Sequence, residues 1–172
     1  DEFLYLEGRC LHYGGTMSYL PILDIIRSYF DIENNDGDAV IRTKLKTRID
    51  ALNANLQSSQ APLEELLGLK SADKTFSALE PRHKRERTFE AVRDLFLRFS
   101  QDNPLIIAIE DLHWIDKTSE EFLDYLLGWL ANSKIMLLLL YRQEYTHPWG
   151  NKSYYTQIGL THLRTPSSIK LL

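Results

Sequence analysis

Two carboxylates stand side by side at Glu110-Asp111, directly after the unbroken apolar run Leu105-Ile106-Ile107-Ala108-Ile109. A run of this kind, rich in β-branched residues, suits a strand buried on both faces. Open parallel sheets bind ligands beyond the carboxyl ends of their strands, and this strand delivers both acids to that edge. One carboxylate there can hold Mg²⁺, directly or through water, while its neighbour orients the water that attacks a terminal phosphate. The plainer reading of the same pair is an acidic strand end that is solvated and prepares a turn. Leu112-His113-Trp114-Ile115-Asp116 follows. His113 and Trp114 either lie over a ligand or pack the loop against a helix, and Asp116 either joins a metal network or caps the helix that comes next. Arg142 ends a second apolar run, Ile135 to Leu140, where it can neutralise Glu110 or Asp111.

Other chemistries find no support. The five histidines, at positions 12, 83, 113, 147 and 162, have no ligand spacing with one another or with Cys10, the single cysteine. No Gly-x-Ser-x-Gly elbow is present, and Cys10 lies among apolar neighbours, so a nucleophilic hydrolase is not indicated. Arg82-His83-Lys84-Arg85-Glu86-Arg87 gathers positive charge at a helix start, where the helix dipole disfavours it. Such a cluster faces a phosphate, a partner or simply solvent.

The elements that position the acids follow from periodicity. Glu2 to Glu7 reads as a short buried strand, and after a loop with paired glycines at Gly14-Gly15, Ser18 is a candidate cap for a helix striped by Leu20, Leu23, Ile26 and Phe30. Ile41, Leu45, Ile49, Leu52 and Leu56 recur at helical spacing. Pro62 to Leu67 forms a short helix, and Ser71 to Pro81 reads as a loop. A long helix runs from Arg82 to about Ser100, with Phe89, Val92, Phe96 and Phe99 on one face. Thr118 and Glu121 give a capping-box pattern for the helix between the two apolar strands. Fully apolar strands alternating with amphipathic helices predict a parallel α/β sheet with helices on both faces.

The chain has 172 residues, 20 Lys+Arg against 24 Asp+Glu and a net charge of −4, which argues against nucleic-acid binding by the whole surface. One cysteine fits a reducing compartment, and the cytoplasm is expected. The longest apolar run, Ile135 to Tyr141, is far below the ~20 residues a membrane helix needs. The first residues show no basic leader followed by an apolar stretch.

Ile109-Glu110-Asp111-Leu112-His113-Trp114-Ile115-Asp116 resembles the Walker B block of AAA-like ATPase modules in STAND-class signal-transduction NTPases, found beside adenylate cyclase, protein kinase or LuxR-type domains. Gly8-Arg9-Cys10, Tyr19-Leu20-Pro21-Ile22-Leu23-Asp24, Leu79-Glu80-Pro81 and the sensor-1 strand Leu138-Leu139-Leu140-Tyr141-Arg142 resemble the same family. The resemblance implies a three-layer P-loop NTPase sheet with Walker B at residues 105–111 and the sensor-1 strand at 135–142. It makes residues 1–172 a partial AAA-like ATPase domain. It also implies Glu110 and Asp111 as metal-binding and catalytic carboxylates, Arg142 as the γ-phosphate sensor, and His113, Trp114 and Asp116 as cofactor-side residues.

Two departures stand out. Glu110 occupies a place where such blocks usually carry Asp. None of the eight glycines belongs to a Gly-x-x-x-x-Gly-Lys-Ser/Thr loop, whose backbone N–H groups and lysine would surround the phosphates. The resemblance places that loop, with its strand and helix, before Phe3. The expected picture is therefore a fragment lacking the P-loop strand and helix. Its intact parent would use ATP and Mg²⁺ as a regulatory switch, and this chain alone would bind neither. The expected partners are effector or sensor domains of the same polypeptide and a nucleotide-dependent oligomer, with no membrane and no direct nucleic-acid contact. A catalytically silent scaffold is the alternative. A DNA-binding initiator ATPase would need a basic winged-helix segment that these residues lack. Residues 161–172 resemble the family's last strand and helix.

Overall fold

The computed structural model describes residues 2–12, 18–52 and 56–160. Three strands form a parallel sheet in the order β1-β2-β3, with β1 at Leu4–Arg9, β2 at Leu105–Glu110 and β3 at Ile135–Leu139. The apolar run that ends in the acid pair is thus the central strand of the three. Leu4 registers with Leu105 and Leu105 with Ile135, so the strand ends lie level and Arg9 falls beside Glu110.

Among the described residues six α-helices connect and cover the strands: α1 at Leu20–Tyr29, α2 at Asp38–Ala51, α3 at Gln60–Leu66, α4 at Lys74–Ser77, α5 at Pro81–Asp102 and α6 at Lys117–Leu130. Right after β1, α1 crosses so close that a Cβ on Gly8 would stand 2.1 Å from the Pro21 carbonyl oxygen. Only glycine permits that approach. Both Pro81 and Pro21 lie in the first turn of their helices, where a missing N–H costs nothing. The stretch read as a loop between Ser71 and Pro81 contains α4, a single turn capped by the Asp73 carboxylate, which accepts from the N–H groups of Thr75 at 2.8 Å and Phe76 at 3.1 Å.

Two caps differ from expectation. Tyr19, in a left-handed conformation, precedes α1, and no side chain caps that helix. The helix α6 is capped by Asp116, two residues before the Thr118 of the proposed capping box. Glu121 is drawn away to Arg85, with 2.9 Å between Nη1 and Oε2, and Thr118 donates to Ser18 at 3.4 Å. A carboxylate three positions ahead of an unbonded N–H caps as well as Thr does, and Asp116 also has a buried partner in Ser119.

The class is α/β, a parallel sheet flanked by helices with no phosphate-loop strand among the described residues, in keeping with a P-loop NTPase-like fold. Cover differs between the two faces. Leu6, Leu105, Ile107 and Ile109 join Ile22, Ile25, Ile26, Leu95, Phe96, Phe122 and Leu126 in one core. Side chains on the other face are Tyr5, Glu7 and Arg9 on β1, Ile106, Ala108 and Glu110 on β2, and Met136 and Leu138 on β3. Of these only Ala108 is buried among the described residues, while Tyr5 is 48% and Met136 56% exposed. The stretch 161–172, read as a last strand and helix, lies outside the described residues, as does most of the glycine loop at 13–17.

Candidate functional site

Three loops leave the carboxyl ends of β1, β2 and β3 and converge. Leu140 donates its N–H to the Ile109 carbonyl at 3.0 Å and accepts from the Leu112 N–H at 2.9 Å, so the loops after β2 and β3 are stitched together. Asp111 makes the turn between them in a left-handed conformation, φ 53° and ψ 37°, which Asp tolerates better than most side chains. One turn of 3-10 helix, Leu112–Trp114, follows.

Trp114 is the meeting point of the three loops. Its ring lies 5.2 Å from that of His12 and 4.5 Å from that of His113, and the Arg142 guanidinium stands over it at 5.4 Å. Arg142 lies beyond the last residue of β3 and is exposed. It pairs with neither Glu110 nor Asp111 among the described residues. The neutralising arginine is instead Arg9, whose Nε lies 2.9 Å from Glu110 Oε2, with Nη2 closing on the same oxygen. This pairing holds the Arg9 guanidinium even more firmly in its charged form.

Sequence reasoning placed Arg9 in a family segment but gave it no role, because its partner lies far along the chain. The available signal was that Arg9 and Glu110 each close an apolar strand. In a parallel pair with level ends, such residues become neighbours.

The remaining candidates separate. Asp116 is buried, and its carboxylate is engaged by Ser119, through N–H at 3.0 Å and Oγ at 2.5 Å, and by the Tyr19 N–H at 3.4 Å. It therefore ties the α6 start to the α1 start. Both ring nitrogens of His113 are buried without a hydrogen-bond partner among the described residues. The Asp111 carboxylate has no hydrogen bond or ion pair among them either. Behind the acids, burial pushes the Cys10 thiol up to about 12, helped by Asp116, Asp111 and Asp24. The basic cluster at the start of α5 is taken up by acids, with Lys84 on Glu65, Arg85 on Glu121, Arg82 on Glu86 and Arg87 on Glu90. Two surface grooves of about 540 and 440 Å³ share Glu65 and Lys84, and neither is lined by the acid pair.

The chain belongs to the AAA ATPase domain family, which matches residues 1–139. A curated relative, an uncharacterized protein of Rhizobium meliloti (strain 1021), is 27% identical over 84 residues, or 49% of this chain. The chain spans 8% of that relative's length. No solved structure matches. No helix among the described residues is long and apolar enough to cross a membrane.

Intact proteins of this family use a nucleotide with Mg²⁺. The acid pair fits the metal, since Glu110 and Asp111 offer hard carboxylate oxygens and a cationic group already sits on Glu110. No cluster of three or more His, Cys, Asp or Glu able to hold a metal occurs among the described residues.

Proposed function

We propose that this chain is the Walker B and sensor half of a regulatory ATPase module, in which ATP binding and slow hydrolysis drive a conformational change read by other domains of the same polypeptide. The observation that carries this reading is the acid pair at the carboxyl end of the central parallel strand, turned by a left-handed Asp111. Bound Mg²⁺ would supply charge neutralisation at the phosphates. Glu110 holds the metal side of the site. Asp111, with no competing hydrogen bond among the described residues, orients the attacking water and accepts its proton. Arg142, now over the Trp114 ring, would contact the γ-phosphate of a bound nucleotide, and Trp114 with His113 would flank it. Asp116 positions these residues by fixing the start of α6.

The test is ATP turnover by a polypeptide that holds these residues together with a phosphate-binding loop. Asp111→Asn keeps the shape and tolerates the left-handed turn, so nucleotide affinity should stay within about threefold while turnover falls about 10²-fold or more. Unchanged turnover would remove Asp111 from the chemistry. The silent-scaffold reading has one feature in its favour, the neutralisation of Glu110 by Arg9. The same experiment separates it, since a scaffold shows no turnover to lose.

A further inference from the structure

The Arg9–Glu110 pair has the geometry of a competitor rather than of a structural brace. The two residues are register partners at the level ends of adjacent strands, so their side chains emerge on the same face by backbone pairing alone. The backbone beneath them is fixed independently: the Arg9 N–H donates to Asp24 at 3.2 Å and the Cys10 N–H to the Glu110 carbonyl at 3.0 Å. The side chains lie on the less covered face, 56% exposed for Arg9 and 30% for Glu110. A half-exposed pair of this kind is weakly held, and its guanidinium can move into water without disturbing the main chain. It also has somewhere to go. Glu7 lies on the same face of β1 with Oε1 3.9 Å from Arg9 Nη2, and its other oxygen is occupied by the Tyr5 hydroxyl at 2.9 Å. A guanidinium and a divalent cation cannot share Oε2 of Glu110, because like charges at that distance repel strongly.

We propose that Arg9 is a two-position positioning residue that competes with the divalent cation for Glu110: it neutralises Glu110 when the cation is absent and shifts to Glu7 when the cation arrives. The inference rests on reading Glu110 and Asp111 as the metal-side carboxylates, and it adds a built-in resistance to metal binding in the absence of nucleotide phosphates.

The experiment titrates Mn²⁺ alone, without nucleotide, into the full chain and its variants, following free Mn²⁺ by electron paramagnetic resonance. Removing the resident positive charge in Arg9→Gln should tighten Mn²⁺ binding about tenfold. Arg9→Lys, which keeps the charge, should stay close to the parent. Glu110→Gln added to Arg9→Gln should abolish the gain. A thermal melt without metal identifies any variant that fails to fold, and Arg9→Ala then replaces Arg9→Gln as the variant that removes the charge. The proposal is overturned if Arg9→Gln binds Mn²⁺ within twofold of the parent, if the gain survives loss of the Glu110 carboxylate, or if no variant binds Mn²⁺. Because no ATP is present, these outcomes are independent of the turnover test. Absence of hydrolysis would defeat the ATPase reading without producing the Mn²⁺ pattern that defeats this one.

Discussion

Cys10 sits one residue beyond β1, 1% exposed, with three carboxylates near enough to disfavour a second negative charge. Its thiol is pushed up to about 12 from an ordinary value of 9.0. The thiolate is the reactive form, so a disulfide reagent at pH 8 should label the native chain very slowly and the unfolded chain at once. The linkage has a definite sign. Between the ordinary value and the native one, the unfolded chain releases the thiol proton while the folded chain keeps it. Folding therefore loses stability as pH rises from about 9 towards 12. Cys10→Ala should lose less stability than the parent between pH 8 and pH 10.5 in thermal melts. A loss equal to the parent's would mean that Cys10 is accessible in the folded chain. Tyr19, whose hydroxyl burial also raises to about 12, contributes in the same direction and remains in both proteins.

Among the elements, α6 depends most on one side chain. Asp116 caps its first turn, binds buried Ser119 and reaches across to Tyr19 at the head of α1. Replacing an N-cap carboxylate by alanine costs about 1–2 kcal/mol. In a chain of this length Asp116→Ala should therefore lower Tm by about 3–6 °C, and differential scanning calorimetry measures it. A larger fall would indicate that the α1 to α6 tie matters beyond the cap. The sequence made much of this layer readable, and the physics explains which parts. The run Leu105 to Ile109 has no helical period and is too short for a buried helix, so β2 and its acids could be placed from residues alone. The Ser18 and Thr118 caps were misread because capping patterns recur by chance. Which residue caps depends on where the helix begins, and packing of Phe122, Leu123 and Leu126 into the core decides that. Arg9 escaped notice because a register contact depends on two strands at once. Nothing local to Gly8-Arg9-Cys10 names Glu110 as its partner.

For the molecule as a whole, the decisive observation is where apolar and phosphate-binding groups are and are not. The acid pair is in place, but the 172 residues contain no glycine-rich loop ending in lysine to hold phosphates. Calorimetric titration of this chain with ATP and Mg²⁺ should accordingly give no binding in the micromolar range, and micromolar binding would show that another phosphate cradle exists. The register of β1 has a different consequence, for synthesis. Leu4 pairs with Leu105, and every β1 residue finds its partner the same distance downstream. At about 5–20 residues per second on the ribosome, β1 waits roughly 5–20 seconds after it is made before the strand that completes it has been translated. During that interval Leu4, Tyr5 and Leu6 lack the β2 partners they have in the native sheet, while α1 through α5 are already available to fold. The helices between the two strands can thus form before β1 gains β2, and β1 is a segment a chaperone would meet.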